Sequence, residues 1–211
     1  MHIARFTFNA FGENTYVLHD GTKECIIIDP GCSNTSEQQT LSDYIESAGL
    51  SPVMLFNTHC HIDHVLGNKY VSEKYNLPLC SHKGEQQVLD MQPMVSQMYG
   101  IYYDPSPSIS VFYDDGDILA FGESELKVLF TPGHSPASIS LYHQPTGTLI
   151  AGDVLFQMSI GRTDLPGGNM DTLLNSIRTQ FFTLPDETKV YPGHGEATTV
   201  RVEKKGNPFL S

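Results

Sequence analysis

The sequence lacks long hydrophobic stretches and has little positive charge. No apolar run approaches the roughly 20 residues that a membrane-spanning helix needs. Residues 1–8 lack the apolar core and small-residue cleavage site of a secretory signal peptide, so we expect a cytoplasmic protein. Twelve Lys and Arg residues against 24 Asp and Glu give a net charge of −12. Because an acidic surface repels phosphate backbones, we expect no nucleic-acid or membrane partner.

Cysteine is also scarce. The four cysteines, Cys25, Cys32, Cys60 and Cys80, form no Cys-x-x-Cys pair, and a cytoplasmic protein is not expected to hold disulfides. Cys25 and Cys80 stand beside apolar residues, as core thiols do. Cys60 lies between two histidines and could be a ligand or a reactive thiol. In extended chain its side chain should alternate away from theirs, so we favour a passive role.

Histidine, by contrast, is concentrated in one stretch. Three of the nine histidines, His59, His61 and His64, fall within six residues, with Asp63 among them. Imidazole and carboxylate suit zinc and similar first-row metals. His59 and His61 project to the same side of an extended chain, whereas adjacent Asp63 and His64 must point different ways. One ion cannot easily take all four, so two ions are predicted. A polar loop that gathers histidines by chance is the weaker interpretation.

Three further candidate ligands, His134, Asp153 and His194, each lie where a predicted strand ends, with glycine nearby. Glycine lets the backbone turn sharply, and strand ends hold ligands rigidly. Taken alone, Asp153 also fits a turn residue and His194 a loop residue. Asp29, after the third predicted strand, is expected to cap a turn or to support the metal ligands from behind.

Hydrophobic periodicity predicts a layered α/β fold in one large domain, residues 1–211. Helical pieces broken at Pro93 are expected within residues 84–107, and Asn169 is expected to cap a later helix. The predicted strands are residues 3–8, 15–18, 25–28, 53–56, 77–80, 117–120, 126–130, 139–142, 148–153 and 189–191. The other predicted helices are residues 41–48, 65–74 and 198–205.

The order His59-x-His61-x-Asp63-His64, followed by His134, Asp153 and His194, resembles the signature of the metallo-β-lactamase superfamily over essentially the whole chain. The resemblance implies a four-layer αββα sandwich with two zinc ions, iron being the alternative at either site. It implies that Asp153 bridges the ions and that Asp63 and Asp153 are the catalytic carboxylates. One ion would be held by His59, His61 and His134, and the other by Asp63, His64 and His194.

Such a site would make hydrolysis feasible without a protein nucleophile. Two divalent ions lie about 3.5–4 Å apart in such centres, and the pKa of a bound water falls from 15.7 to about 7. The same ions polarise a carbonyl and stabilise the tetrahedral oxyanion, with the resulting hydroxide as nucleophile. The sequence has no Gly-x-Ser-x-Gly motif, which fits a reaction that needs no serine.

Several segments are more narrowly similar to the hydroxyacylglutathione hydrolases, and especially to short bacterial glyoxalase II-like proteins. These hydrolyse thioesters such as S-lactoylglutathione to a hydroxy acid and a free thiol, which is the predicted reaction. Full-length enzymes of this kind carry a basic C-terminal helical domain for glutathione that this sequence does not contain, so the thiol is left open. The similar segments are residues 131–136, 152–156, 161–164, 184–188 and 191–195.

Arg162 is the predicted binding residue for a substrate carboxylate, because arginine binds carboxylates through two hydrogen bonds. A structural arginine that pairs with Asp164 or caps a loop is an equally good interpretation. The alternative reaction is that of the persulfide dioxygenases, which share the fold and hold one iron on two His and one Asp. In this chain that triad would be His59, His134 and Asp153. A true β-lactamase, usually exported, and a non-enzymatic binding protein are less favoured.

Overall fold

The computed structural model describes residues 1–210, and the chain divides into two compact units. The N-terminal unit is Met1–Phe112 with Ala120–Ser124, and the C-terminal unit is Tyr113–Leu119 with Glu125–Ser211. No helix among the described residues is long and apolar enough to cross a membrane. The single domain predicted over residues 1–211 stays a prediction.

One six-stranded sheet forms the centre of the N-terminal unit. Its strands are β1 (His2–Phe8), β2 (Glu13–His19), β3 (Glu24–Ile28), β4 (Ser51–Phe56), β5 (Leu79–Ser81) and β6 (Ile109–Phe112). They lie in chain order across the sheet. The first three run antiparallel, and β3, β4, β5 and β6 run parallel. Because parallel strands end at the same edge, the residues that follow β3, β4 and β5 are brought together there.

Four helices connect the parallel strands. They are α1 (Thr35–Ser47), α2 (Ile62–Val65), α3 (Asn68–Tyr75) and α4 (Gln86–Tyr99). Helix α1 begins before its predicted start because Asn34 caps it, accepting a hydrogen bond from the Glu37 amide at 3.1 Å. The helix predicted over residues 65–74 is divided into α2 and α3 around Gly67.

The prediction of a helix broken at Pro93 is wrong, since α4 runs through it without interruption. Proline removes one main-chain hydrogen bond from a helix interior. Helix α4 tolerates that loss because Val88, Leu89 and Gln92 bury one of its faces. The Gln92 side-chain amide also donates to the Val88 carbonyl at 2.8 Å. Tertiary burial therefore outweighs the local signal.

A second six-stranded sheet, in the order β14-β13-β10-β9-β8-β7, is formed mostly by residues of the C-terminal unit. These strands are β7 (Ile118–Phe121), β8 (Ser124–Phe130), β9 (Ile139–His143), β10 (Thr148–Gly152), β13 (Lys189–Pro192) and β14 (Thr198–Thr199). Two short strands, β11 (Leu155–Phe156) and β12 (Ser159–Ile160), form a separate hairpin. Strand β9 is antiparallel to both β8 and β10, and β10 is parallel to β13, so β8, β10 and β13 end at one edge.

Two helices complete the C-terminal unit. Helix α5 (Met170–Ser176) continues into a π-helical turn, Ile177–Phe181, and α6 is Val200–Gly206. The predicted cap of α5 is confirmed, because the Asn169 side chain accepts from the Thr172 amide at 2.9 Å. The core of this unit includes Leu173 and Phe181, which are fully buried.

Replacing Gly67 with alanine should destabilise the protein. A Cβ atom at this position would run into the Cys32 sulfur and lie 2.7 Å from the Pro30 carbonyl oxygen. Overpacking of this kind costs about 1–3 kcal/mol, so we expect a lower midpoint of unfolding in urea. Gly21→Ala is the matched control, because a Cβ at Gly21 meets nothing within 4 Å. Equal midpoints for the two variants would refute the packing explanation.

Candidate metal centre

The first cluster of predicted ligands lies at the edge where the parallel strands of the N-terminal sheet end. His59 and His61 follow β4, and Asp63 and His64 lie in α2. The ring centroid of His59 lies 4.8 Å from that of His61 and 4.1 Å from that of His64. His59 and His64 are fully buried, whereas His61 and Asp63 are partly exposed. The four residues predicted from spacing are therefore brought together at one side of this unit.

The relation between Asp63 and His64 differs from the expectation that they diverge. Consecutive residues of a helix, with 3.6 residues per turn, are about 100° apart, whereas those of a strand point to opposite faces. Because both residues lie in α2, Asp63 Oδ2 approaches His64 Nε2 to 3.6 Å. The short helix thus lets neighbours in sequence serve the same site.

Asp29 supports this cluster from behind. It follows β3 with a positive φ of 49° and is 2% exposed. Its carboxylate accepts hydrogen bonds from the Thr58 amide at 2.7 Å and the Thr58 hydroxyl at 2.6 Å. His64 Nδ1 lies 3.2 Å from the same carboxylate. The interpretation of Asp29 as a support for the ligands agrees with these contacts.

These contacts determine which ring nitrogens of His59 and His64 carry hydrogen. A carboxylate only accepts, so His64 Nδ1 is the donor to Asp29. The Thr58 hydroxyl gives its single hydrogen to Asp29, so His59 Nδ1, 3.1 Å from that oxygen, is again the donor. In a neutral ring the Nε2 atom of each histidine then carries a lone pair. This is the form in which imidazole binds a metal.

The second cluster belongs to the C-terminal unit, where His134, Asp153 and His194 follow β8, β10 and β13. The Oδ2 atom of Asp153 lies 3.6 Å from His134 Nε2 and 3.4 Å from His194 Nε2. His134 Nδ1 donates to the Arg162 carbonyl at 2.7 Å, which again leaves the lone pair on Nε2. One carboxylate oxygen thus lies near two imidazoles, as a bridging ligand would.

A bulge at the end of β10 places Asp153. The pairing of β10 with β13 shifts register between Ile150 and Gly152. Gly152 has a φ of 56°, a left-handed conformation that glycine adopts without strain. The Gly193 amide donates to the Gly152 carbonyl at 2.9 Å and ties the two strand ends together. Glycines near the predicted ligands were therefore a correct signal for sharp turns.

Arg162 forms a bidentate ion pair with Asp164. Both hydrogen bonds, from Nε and Nη2, are 2.7 Å long, and the two side chains are 58% and 69% exposed. The hydrogen bonds from Arg162 lower the pKa of Asp164 to about 2. The main-chain carbonyl of Arg162 accepts a hydrogen bond from His134, so Arg162 also supports a predicted ligand. The structural pairing exists, and a role in substrate binding stays a prediction.

Two buried acidic residues near the first cluster were not identified from sequence. Glu13 is fully buried, with Oε1 4.0 Å from His64 Nδ1, and burial raises the pKa of its carboxyl well above the usual value. Glu85 is fully buried, and its Oε2 accepts from the Cys60 amide at 2.8 Å. No spacing pattern in the sequence predicts that Glu13 or Glu85 lies near the site, because only tertiary contacts bring them to the histidines.

Comparison with known proteins agrees with this architecture. Residues 9–194 match the metallo-beta-lactamase superfamily, and the chain belongs to that superfamily. It is 41% identical over 190 residues to the probable metallo-hydrolase YqgX of Bacillus subtilis, covering 89% of this chain and 88% of that protein. It is 34% identical to the hydroxyacylglutathione hydrolase GloC of Haemophilus influenzae, covering 100% and 99% of the two chains.

Solved structures show the same fold. The BLEG-1 B3 metallo-beta-lactamase has a TM-score of 0.91 at 34% identity, with full coverage of both chains. TTHA1623 in a di-iron-bound form has a TM-score of 0.88 at 32% identity, covering 98% and 100%. ETHE1 from Myxococcus xanthus has a TM-score of 0.81 at 27% identity, covering 99% and 84%. The predicted α/β fold of the metallo-β-lactamase type is confirmed, and this protein is a member of a metal-dependent hydrolase superfamily.

The four cysteines should be unreactive in the native protein. All are buried as free thiols. Burial raises the pKa of Cys25, Cys32 and Cys80 to about 12 and that of Cys60 well above its usual value. A raised thiol pKa removes the reactive thiolate at neutral pH. We expect no reaction with DTNB at pH 8 and four thiols after denaturation. A fast-reacting thiol in the native protein would contradict this expectation.

Proposed function

We propose that this protein is a metal-dependent thioesterase that hydrolyses small-molecule thioesters such as S-lactoylglutathione. The observation that carries the metal-dependent part is the state of the three histidine rings. His59, His64 and His134 each have Nδ1 directed at an acceptor, which leaves Nε2 as the ligand atom. Similarity to GloC, described as a hydroxyacylglutathione hydrolase, supports the choice of substrate class.

The proposed ligand assignment follows the order of residues in the superfamily. Asp153 would bridge two ions, for which we propose zinc. Its position between two imidazoles within the C-terminal unit supports that role. His59, His61 and His134 would hold one ion, and Asp63, His64 and His194 the other.

The donor set fits a pair of divalent cations. Five imidazoles and two carboxylates are ligands that zinc and iron both accept. When bound, the ions would supply a nucleophilic water at neutral pH and polarise the thioester carbonyl. The protein's part is orientation. Asp29 fixes His64 directly and His59 through Thr58, and the Arg162 carbonyl fixes His134.

Asp63 and Asp153 are the proposed catalytic carboxylates. Each has a carboxylate oxygen within 4 Å of a histidine Nε2 atom in its own unit, and this supports the proposal that both are ligands. Asp63 is partly exposed, whereas Asp153 is 8% exposed.

A second candidate is the mononuclear-iron persulfide dioxygenase reaction. The described di-iron form of TTHA1623 demonstrates iron binding by a chain 32% identical to this one, and ETHE1 is a further structural relative. His59, His134 and Asp153 would form the iron triad. Similarity to BLEG-1, described as a B3 metallo-beta-lactamase, makes a β-lactam the third compound to assay.

Metal content and turnover, measured together, test the proposal. We expect about two zinc ions per chain and hydrolysis of S-lactoylglutathione. Asp153→Ala should lose an ion and more than about 100-fold of activity, since changing even a partner of a metal ligand typically costs 10–100-fold. Asp186→Ala, at an exposed aspartate paired with Lys204, is the matched control and should keep both ions and full activity.

Other outcomes of this measurement would redirect the assignment. One iron per chain with oxygen uptake on glutathione persulfide would establish the dioxygenase. Two zinc ions with hydrolysis of a β-lactam but of no thioester would overturn the thioesterase. An Asp153→Ala variant with both ions and full turnover would refute the bridging role.

The Arg162→Ala variant tests whether Arg162 binds a carboxylate of the substrate. If Arg162 binds it, KM should rise several-fold while kcat changes less, because only binding is removed. Asp164→Ala is the matched control. It breaks the same ion pair but leaves the guanidinium available, so KM should stay constant or fall. Equal rises in KM for both variants would show that the ion pair has a structural role alone.

A further inference from the structure

A buried carboxylate with no part in the proposed reaction lies beside the first pair of ligands. Glu85 is in the 3-10 turn Lys83–Glu85, between β5 and α4, and is fully buried. Its Oε2 atom accepts a hydrogen bond from the Cys60 amide at 2.8 Å. Since β4 and β5 are parallel neighbours, the chain after β5 naturally lies beside the chain after β4.

The peptide group that Glu85 holds joins His59 to Cys60 and lies in the segment between two proposed ligand residues. Cys60 separates His59 from His61, so the orientation of its amide determines the directions in which both Cβ atoms leave the main chain. His59 has a second support, because its Nδ1 atom contacts the Thr58 hydroxyl. The hydrogen bond that the Cys60 amide donates to Glu85 instead acts on the main chain between the two histidines.

We propose that Glu85 is a positioning residue for the His59 and His61 pair and sets the affinity for the ion that these two residues hold. This inference rests on the proposed metal centre. The hydrogen bond to the Cys60 amide keeps the turn in the shape in which both imidazoles converge. Glu85 is not one of the proposed ligands. The Cys60 thiol also needs no chemistry, since burial and the nearby Glu85 charge both raise its pKa.

The proposed positioning role depends on how far the acceptor oxygen of residue 85 extends. Two conservative variants separate this distance from the charge of the side chain. Glu85→Asp keeps the charge but withdraws the oxygen by about 1.5 Å, one C–C bond length. Glu85→Gln keeps an acceptor oxygen at the same reach but removes the charge. If the position of the oxygen matters, Glu85→Asp should bind the ion more weakly, and Glu85→Gln should bind it about as well as the wild type does.

The matched control is Glu203→Asp in the C-terminal unit. Glu203 is also fully buried and also accepts from a main-chain amide, that of Met158, at 3.0 Å. It further accepts from Thr198 and Asn207 at 2.6 and 2.7 Å, and none of these partners is a proposed ligand. Shortening it removes comparable buried hydrogen bonds without touching the ligand turns.

The experiment is a zinc titration of metal-free protein against a chromophoric chelator, with the thermal midpoint of each metal-free variant. The wild type should bind two ions. Glu85→Asp should bind one of them about 10–100-fold more weakly, the range typical of partners of metal ligands. Glu85→Gln should stay within about threefold of the wild type. Glu203→Asp should bind both ions normally, whatever its midpoint.

Three results would overturn the proposal. The first is a Glu85→Asp variant that binds both ions as the wild type does. The second is an equal loss of affinity for both ions, and the third is a loss no larger than that of Glu203→Asp. Any of these would make Glu85 an ordinary buried acid. A wild type that binds no zinc or iron would instead refute the metal centre itself, and this is measured before any variant is compared.

Discussion

The pairing of the Asp29 carboxylate with the turn after β4 is the interaction on which the N-terminal half of the site depends. A buried carboxylate is costly unless hydrogen bonds satisfy it. Asp29 meets this requirement with the Thr58 amide, the Thr58 hydroxyl and the His64 ring. The same contacts hold the turn that carries the predicted ligands against the end of β3. They also place the hydrogen on Nδ1 of the His59 and His64 rings, so the lone pair of each neutral ring is on Nε2. Satisfying one buried charge thus also prepares two imidazoles for a cation.

The C-terminal unit achieves the same result without a carboxylate behind its histidine. A main-chain carbonyl, that of Arg162, fixes the His134 ring, and a strand bulge with a left-handed Gly152 turns Asp153 toward His134 and His194. Each unit therefore fixes a ring from the side away from its Nε2 atom. Rigid strand ends supply this precision more readily than flexible loops do.

Buried acidic groups give the N-terminal cluster a character that suits a cation. Asp29 is buried beside His64, and Glu85 is buried against the main chain between His59 and His61. A bound divalent ion would be the largest local charge and would offset this negative environment. The ligand atoms alone do not choose between zinc and iron, because imidazole and carboxylate serve both. The reaction is therefore decided by the metal that is loaded and by the groups that receive the substrate.

The sequence by itself determined most strands and the superfamily, because these depend on local spacing, periodicity and motif order. The same signals predicted the seven candidate ligands. Asn169 as a helix cap was equally predictable, since it acts on its neighbours in the chain. The continuity of α4 through Pro93 was decided by burial against the rest of the unit. Only the tertiary structure brought Glu13 and Glu85 to the histidines, because contacts between distant segments leave no periodic trace in the sequence.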